Sequence, residues 1–260
     1  MTEKEKFFER FKFDQEKIGC VGVEREQFTI DPKTGAVAPL AEKYLDCLRE
    51  SGRLAQDYSN FGYELSACQL ESKIGPCQIG ELHAKLSDSE RTLDWADHVV
   101  GARRVNLEIA SESMPLDIYP DPTGRYQVIT KNMPHEVLSA ACRVAATHIH
   151  VGMSNLSAAI NAYNCAIKHT ERLIALGDNS SGQRMALYRV MATQYMPNKI
   201  EDLSQFYDRS VVHSFSDDPR RCWTLIRISV HGTIEFRMFG ATDSLDQIVE
   251  WATLCRDLCA

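Results

Sequence analysis

Glutamates and histidines recur two residues apart inside segments that otherwise read as strands: Glu24 and Glu26, His148 and His150, and Glu235 with Arg237. Side chains two apart on a strand share a face, so each pair presents both groups to one side of a sheet. Strands disfavour Glu, and an inward-facing carboxylate is costly unless it is paired or bound to a metal. Glu64 and Glu71 are seven apart, which places them on opposite faces of a regular strand; they meet only where a bulge or turn intervenes. Each pair alone has a plain reading. Glu-x-Glu usually marks a solvated sheet edge, His-x-His is a chance pair or a zinc-type pair, and Glu235-Phe236-Arg237 reads equally as a surface stripe opposite Ile234, Phe236 and Met238. Accumulation shifts the balance: together these features supply five carboxylates, an imidazole or two, and an arginine. A ligand set dominated by oxygen suits Mg²⁺ or Mn²⁺, which in turn hold nucleotide phosphates. No cysteines lie at zinc-ligand spacing. Neither Gly-x-x-x-x-Gly-Lys nor Gly-x-Gly-x-x-Gly occurs, so phosphate binding here would come through metal ions.

The elements that must position these groups follow from patterning. A polar helix is expected over 3–16, then a strand from Ile18 to Ile30 closed by Asp31-Pro32-Lys33-Thr34-Gly35. A short helix near 40–51 precedes an extended pair or bulged strand over 61–75. Leu82, Leu86, Leu93, Ala96 and Val100 recur at helical spacing and predict a long helix over 79–105. Residues 105–113 read as a strand, 114–133 as a loop, Ala145–Met153 as a strand, and Asn155–Gly177 as a helix with Gly177 as C-cap. The segment 178–221 mixes loop and helix. Trp223–Val230 and Thr233–Phe239 form a hairpin about His231-Gly232, and Ser244 N-caps a final helix. Long helices with a tight hairpin point to an α+β fold with a largely antiparallel sheet.

Composition bounds the rest. The 260 residues are 44% hydrophobic and 25% charged, as in an ordinary globular protein, and no internal repeat is present. A formal charge of -7 without a basic stripe argues against nucleic-acid binding. No apolar run is long enough to span a membrane, and Met1-Thr2-Glu3-Lys4-Glu5-Lys6 lacks the apolar stretch of a secretory signal. Nine cysteines, an odd number without any Cys-x-x-Cys, read as reduced thiols and a cytoplasmic location.

Four blocks occur in order: Gly22-Val23-Glu24-Arg25-Glu26, Glu64-Leu65-Ser66-Ala67-Cys68-Gln69-Leu70-Glu71, Thr147-His148-Ile149-His150-Val151-Gly152 and His231-Gly232-Thr233-Ile234-Glu235-Phe236-Arg237. They resemble the blocks of glutamate–cysteine ligase type 2, the carboxylate–amine ligase branch of the glutamine-synthetase-like fold. Ser180–Pro197, with Arg189, is similar to a further, weaker block. The resemblance runs from about residue 18 to the C-terminal helix and implies one catalytic domain over 1–260 that stops short of a helical extension seen in relatives. It implies a curved antiparallel sheet forming a funnel with long helices outside, as in the glutamine synthetase/guanido kinase catalytic domain. The funnel would hold ATP, Mg²⁺ (or Mn²⁺) ions and an acid substrate, activated as an acyl phosphate and passed to an amine. Carried over, Glu24, Glu26, Glu64, Glu71, His150 and Glu235 would bind metal. Arg237 would stabilise the transferring phosphoryl group, with His231 also against the cofactor. Arg189 would contact substrate or phosphate, and His148 would stand behind the metal ligands. The family often carries an Asp near the position of Gly240, a departure that bears on substrate choice. The implied partners are small acid and amine molecules, with self-association left open.

The approach of phosphate and carboxylate requires cations between two anions, and an acyl phosphate must be kept from water. Loops 114–133 and 200–220 are the expected covers. Two other readings compete: a metallohydrolase using His148 and His150 with zinc or iron, and a non-catalytic relative that binds nucleotide.

Overall fold

A computed structural model describes residues 1–260. Its strands are β1 (Val21–Ile30), β2 (Phe61–Tyr63), β3 (Gln69–Cys77), β4 (Arg103–Val105), β5 (Ala146–Gly152), β6 (Ile226–Ser229) and β7 (Thr233–Gly240). They form one sheet in the order β2-β3-β1-β5-β7-β6, with β4 paired to β1. Every pairing is antiparallel. The helices are α1 (Glu3–Phe8), α2 (Ala41–Glu50), α3 (Ile79–Val100), α4 (Arg125–Thr130), α5 (His135–Arg143), α6 (Leu156–Ala166), α7 (Thr170–Gly177), α8 (Gln183–Met191), α9 (Leu203–Val212) and α10 (Leu245–Leu258). The expected α+β class and antiparallel sheet are therefore present.

Strand alternation assigns the two faces. Val21 and Val23 of β1 are buried, with Ile74, Ile149, Val151, Ile234 and Phe236, in a core completed by Leu82 and Leu86 of α3 and Ile248 and Trp251 of α10. Trp251 stacks on Phe239 with ring centroids 4.8 Å apart. Burying these branched and aromatic side chains supplies the main driving force for laying the helices on this face. Ser244 caps α10 as expected, its hydroxyl accepting from the Gln247 N–H at 3.2 Å. The in-between residues Glu24 and Glu26 necessarily point to the other face.

Register then does what the sequence spacing alone could not. Glu24 pairs with His148 and Glu26 with Glu71, while His150 pairs with Glu235, which in turn faces Arg227. Between Thr147 and Ile149 the β5–β7 ladder is irregular: Thr147 pairs with Phe239 and Ile149 with Phe236, so Arg237 and Met238 together oppose His148. Such a bulge leaves carbonyls without ladder partners. Arg184 of α8, 1% exposed, fills the gap. It donates to the carbonyls of Arg237 and Met238 at 2.9 Å and of Ala145 at 3.1 Å. A guanidinium suits this role because its donors are fixed in a plane.

Several elements differ from expectation. The N-terminal helix stops at Phe8, because Phe7, Phe8 and Phe11 turn inward onto Phe206 and the Lys12 N–H bonds the Val230 carbonyl at 2.8 Å. Residues 105–113 are mostly irregular: β4 ends at Val105, and the Ala110 N–H reaches across to the Arg143 carbonyl. The segment 114–133 contains α4. The helix over 155–177 is divided by a 3₁₀ turn at Ile167–His169. Gly177 is not a left-handed cap; it lets α7 press on β7, where a Cβ would lie 2.8 Å from the Phe239 Cα.

Arg184→Met should orphan three buried carbonyls and lower stability by about 3 kcal/mol or more. Urea unfolding reads this directly, and an unchanged midpoint would refute the splinting role.

Candidate active site

Glu24, Glu26, Glu64, Glu71, His148, His150, His231, Glu235 and Arg237 all line one cleft of about 480 Å³ on the sheet face opposite the α3–α10 core. Four strands supply most of them, and the turn after β2 carries Glu64 back beside Glu71. This turn resolves the seven-residue separation that would otherwise have split the pair. His231 stands exposed at the rim, on the β6–β7 turn.

Glu24 is the junction. Its Oε2 lies 3.3 Å from His148 Nδ1 and 3.5 Å from His150 Nε2. Ligand atoms of Glu24, His148 and Glu235 all fall within 4.8 Å of one another, as one bound ion would require. His148 therefore belongs in the cluster itself rather than behind it. Its Nε2 is also 3.6 Å from Glu26 Oε1, and the other Glu26 oxygen accepts from the Ala146 N–H at 2.7 Å. His150 Nδ1 is engaged by the Thr233 hydroxyl at 2.8 Å, leaving Nε2 buried without a hydrogen-bond partner. An orphaned imidazole nitrogen aimed at a carboxylate, among oxygen donors and with no cysteine lining the cleft, fits a hard divalent cation.

Glu235 is 1% exposed and is held by two guanidinium groups: Arg227 Nε at 2.7 Å and Arg237 Nη1. Burial resists its ionisation, but the two arginines outweigh burial and hold the carboxyl far below the usual range. Arg237 lies over the Trp223 ring, 5.6 Å from its centroid, and its Nε is 3.4 Å from the Tyr188 hydroxyl. These contacts fix a planar, permanently charged fork at the cleft wall.

Arg189 is elsewhere. It is exposed on α8 and stacks over the Tyr195 ring at 5.2 Å, outside the cleft. Helical spacing explains the correction: Arg184 and Tyr188, four apart, share the inward face, so Arg189 points away. Patterning also missed Lys73, Arg125, Tyr126, Arg220, Trp223 and Arg227, which all line the cleft. Two had a signal. Arg227 alternates with the apolar Ile226 and Ile228, and Lys73 continues the face that Glu71 begins. Tyr126 and Arg125 arrive on α4, within the suspected covering segment, where burial together with Glu64 and Glu71 raises the Tyr126 hydroxyl pKa. At Gly240, the place of a side chain is taken by Glu108: a Cβ there would lie 1.7 Å from Glu108 Oε1.

Residues 20–256 match glutamate-cysteine ligase family 2 (GCS2). A protein of Rhodopirellula baltica named "Putative glutamate--cysteine ligase 2" is 23% identical over 92% of this chain and 68% of its own length. One of Saccharopolyspora erythraea, "Putative glutamate--cysteine ligase 2-2", is 26% identical over 92% of this chain and 64% of its own. The chain thus spans about two thirds of the length of the curated relatives it matches. A crystal structure of a bifunctional glutathione synthetase from Pasteurella multocida superposes with a TM-score of 0.55 at 13% identity, covering 92% of this chain and 38% of that one. That likeness establishes a shared fold.

Charge in the cleft is unevenly compensated. Burial raises the Glu24 carboxyl, but His150 and His148 outweigh it and hold it well below the usual range. Burial, reinforced by Arg237, lowers His148 to about 4, so its ring is neutral near pH 7. Burial pushes Glu26 up to about 8, Glu64 up to about 7 with help from Glu26, and Glu71 well above the usual range with help from Glu64. A carboxyl with a raised folded-state pKa binds its proton more tightly folded than unfolded. The metal-free protein should therefore lose stability as pH rises from the ordinary value of 4.5 toward about 8. Mg²⁺ or Mn²⁺ should replace those protons, raising Tm more at pH 8 than at pH 5.5. Calorimetric scans at both pH values test this; equal metal-induced shifts would contradict it.

Proposed function

The chain belongs to glutamate-cysteine ligase family 2, a family of C–N bond-forming ligases, and from that premise and the cleft chemistry we propose an ATP- and Mg²⁺-dependent carboxylate–amine ligase. The sheet would be the funnel of the glutamine synthetase/guanido kinase-like catalytic domain. The single observation that carries the reading is the antiparallel register that gathers five carboxylates and two imidazoles from separated segments beside Arg237.

Glu24, Glu26, Glu64, Glu71, His148, His150 and Glu235 are the residues that would hold divalent ions. Such ions, when bound, neutralise the phosphate and carboxylate oxygens that must approach each other. The protein's own contribution is positional. Arg237, pinned by Glu235 and backed by Trp223, presents N–H donors to the equatorial oxygens of the transferring phosphoryl group. Transfer of that group to a glutamate-like carboxylate yields an acyl phosphate and ADP. Attack by an amine then forms the amide and releases phosphate. Lys73, 2.9 Å from Glu71, brings one permanent positive charge to the acidic end of the cleft, opposing but not cancelling the upward push of burial and Glu64 on that carboxyl. Arg125 and Tyr126 of α4 lie over the Glu64–Glu71 side of the cleft, where they would limit water access to the acyl phosphate.

The zinc or iron hydrolase alternative draws on the same two imidazoles and one glutamate, but it leaves the other four glutamates and the paired arginines without a role. A cytoplasmic location agrees with the unpaired cysteines, all nine of which are free.

Glu24→Gln and Glu235→Gln should each reduce metal-dependent ADP formation by about a hundred-fold or more while the far-ultraviolet circular dichroism spectrum is retained. Unchanged turnover in either variant counts against the assignment. Arg237→Lys should lower kcat far more than it raises KM for ATP, because an ammonium cannot reproduce the fork. A pure KM effect would instead place Arg237 in ground-state binding.

A further inference from the structure

Beside the cleft lies a second cavity of about 340 Å³ that the reaction above does not use. The two share Met191, Trp223 and Arg227, so the Trp223 indole is their common wall. On one side that ring faces Arg237 at 5.6 Å; on the other it roofs a pocket floored by Phe11, Tyr163, Phe206, Phe215 and Ile228. Trp223 itself is 40% exposed, as a residue between two openings should be.

The electrostatics of this pocket are opposite to those of the cleft. Its lining includes Arg209, Arg221 and Arg227, and it contains no Asp or Glu. Arg209 is occupied by the carbonyls of Asn198 and Lys199, both at 2.6 Å. Arg227 is occupied by Glu235 and by the carbonyls of Arg220 and Cys222. Arg221 uses only Nη1, at 3.1 Å from Asp217, so the rest of its donor fork is free. An apolar floor with a guanidinium whose fork is only partly used, and no acid in the lining, suits a molecule that carries a carboxylate and an apolar side chain together. A simple cationic amine would find no counter-charge there.

Resting on the ligase reading, we propose that this pocket seats the amine acceptor, and that the acceptor is an α-amino acid with an apolar side chain. The side chain lies on the aromatic floor and the carboxylate meets Arg221. The amino group reaches past Trp223 toward Arg237 and the acyl phosphate. Its neutral nitrogen attacks the acyl carbon and the C–N bond forms. The C–O bond to phosphate breaks, its electron pair leaves on inorganic phosphate, and that phosphate takes the surplus proton from nitrogen. A mercaptomethyl side chain such as that of cysteine would leave most of the floor uncovered.

The test uses the full chain with ATP, Mg²⁺ and glutamate, comparing leucine, phenylalanine, cysteine and glycine as acceptors, with hydroxylamine as a trap small enough to need no pocket. Cys222→Trp fills the pocket from a half-buried lining position outside the reaction machinery. Leucine or phenylalanine should exceed cysteine and glycine in kcat/KM by about ten-fold or more. Cys222→Trp should raise the KM of the apolar acceptor by about ten-fold while hydroxylamine-dependent ADP release stays within about two-fold. Titration calorimetry of the same amino acids onto wild-type and Cys222→Trp protein reads occupancy without turnover. Preference for cysteine or glycine, or apolar binding indifferent to Cys222→Trp, would overturn the proposal. Absence of hydroxylamine-dependent ADP release would contradict the ligase reading instead, with calorimetry still deciding the pocket.

Discussion

Five glutamates directed into one depression cannot all ionise without added positive charge, and the rest of the cleft is organised around that constraint. Some compensation is built in: two arginines on Glu235, the His150 imidazole beside Glu24, and Lys73 on Glu71. It is incomplete at Glu26 and Glu64, whose carboxyls are pushed up to about 8 and about 7 by burial, and at Glu71, which burial and Glu64 hold well above the usual range despite Lys73. A fold that only needed stability would replace such a cluster with apolar side chains, since buried charges seldom repay their desolvation. Retaining it makes sense where cations and anionic substrates arrive together and complete the charge balance.

Behind the sheet a second ionic network does structural work. Arg25 points away from Glu24 and Glu26, and pairs there with Glu90 and the Thr242 carbonyl. Arg104 gathers Asp94, Asp97, Glu90 and Gln27 at 2.8–3.3 Å. These contacts tie β1 to α3, so the strand that presents Glu24 is fixed from its reverse side. Arg184 acts similarly on β7, splinting the bulge that carries Arg237. Rigid backbone under the reactive groups is what a preorganised site requires.

Much of this was legible in residue order. Alternation alone put Glu24 with Glu26, His148 with His150 and Glu235 with Arg237 on common faces, and each pair enters the cleft. The ordered blocks were identified correctly as those of the matching family. What patterning could not supply was register. His148 was placed behind the ligands, yet it sits opposite Glu24 because β1 and β5 pair Val21 with Val151. Arg189 was expected against substrate or phosphate, but only packing reveals which face of α8 is inward, and that face carries Arg184 and Tyr188. Residues 105–113 read as a strand, although Asn106 bonds Asp243 and Glu108 bonds the Asn179 N–H rather than continuing a ladder. Tertiary contacts outweighed local preference there.

The central claim is that the acidic cleft is a site for hard divalent ions. Electron paramagnetic resonance of Mn²⁺ titrated into the metal-free protein near pH 8, with a non-hydrolysable ATP analogue present, measures it most directly. About two Mn²⁺ per chain, displaced by Mg²⁺ and lost in Glu24→Gln, is the expected result. No bound Mn²⁺, or binding indifferent to Glu24→Gln, would contradict it.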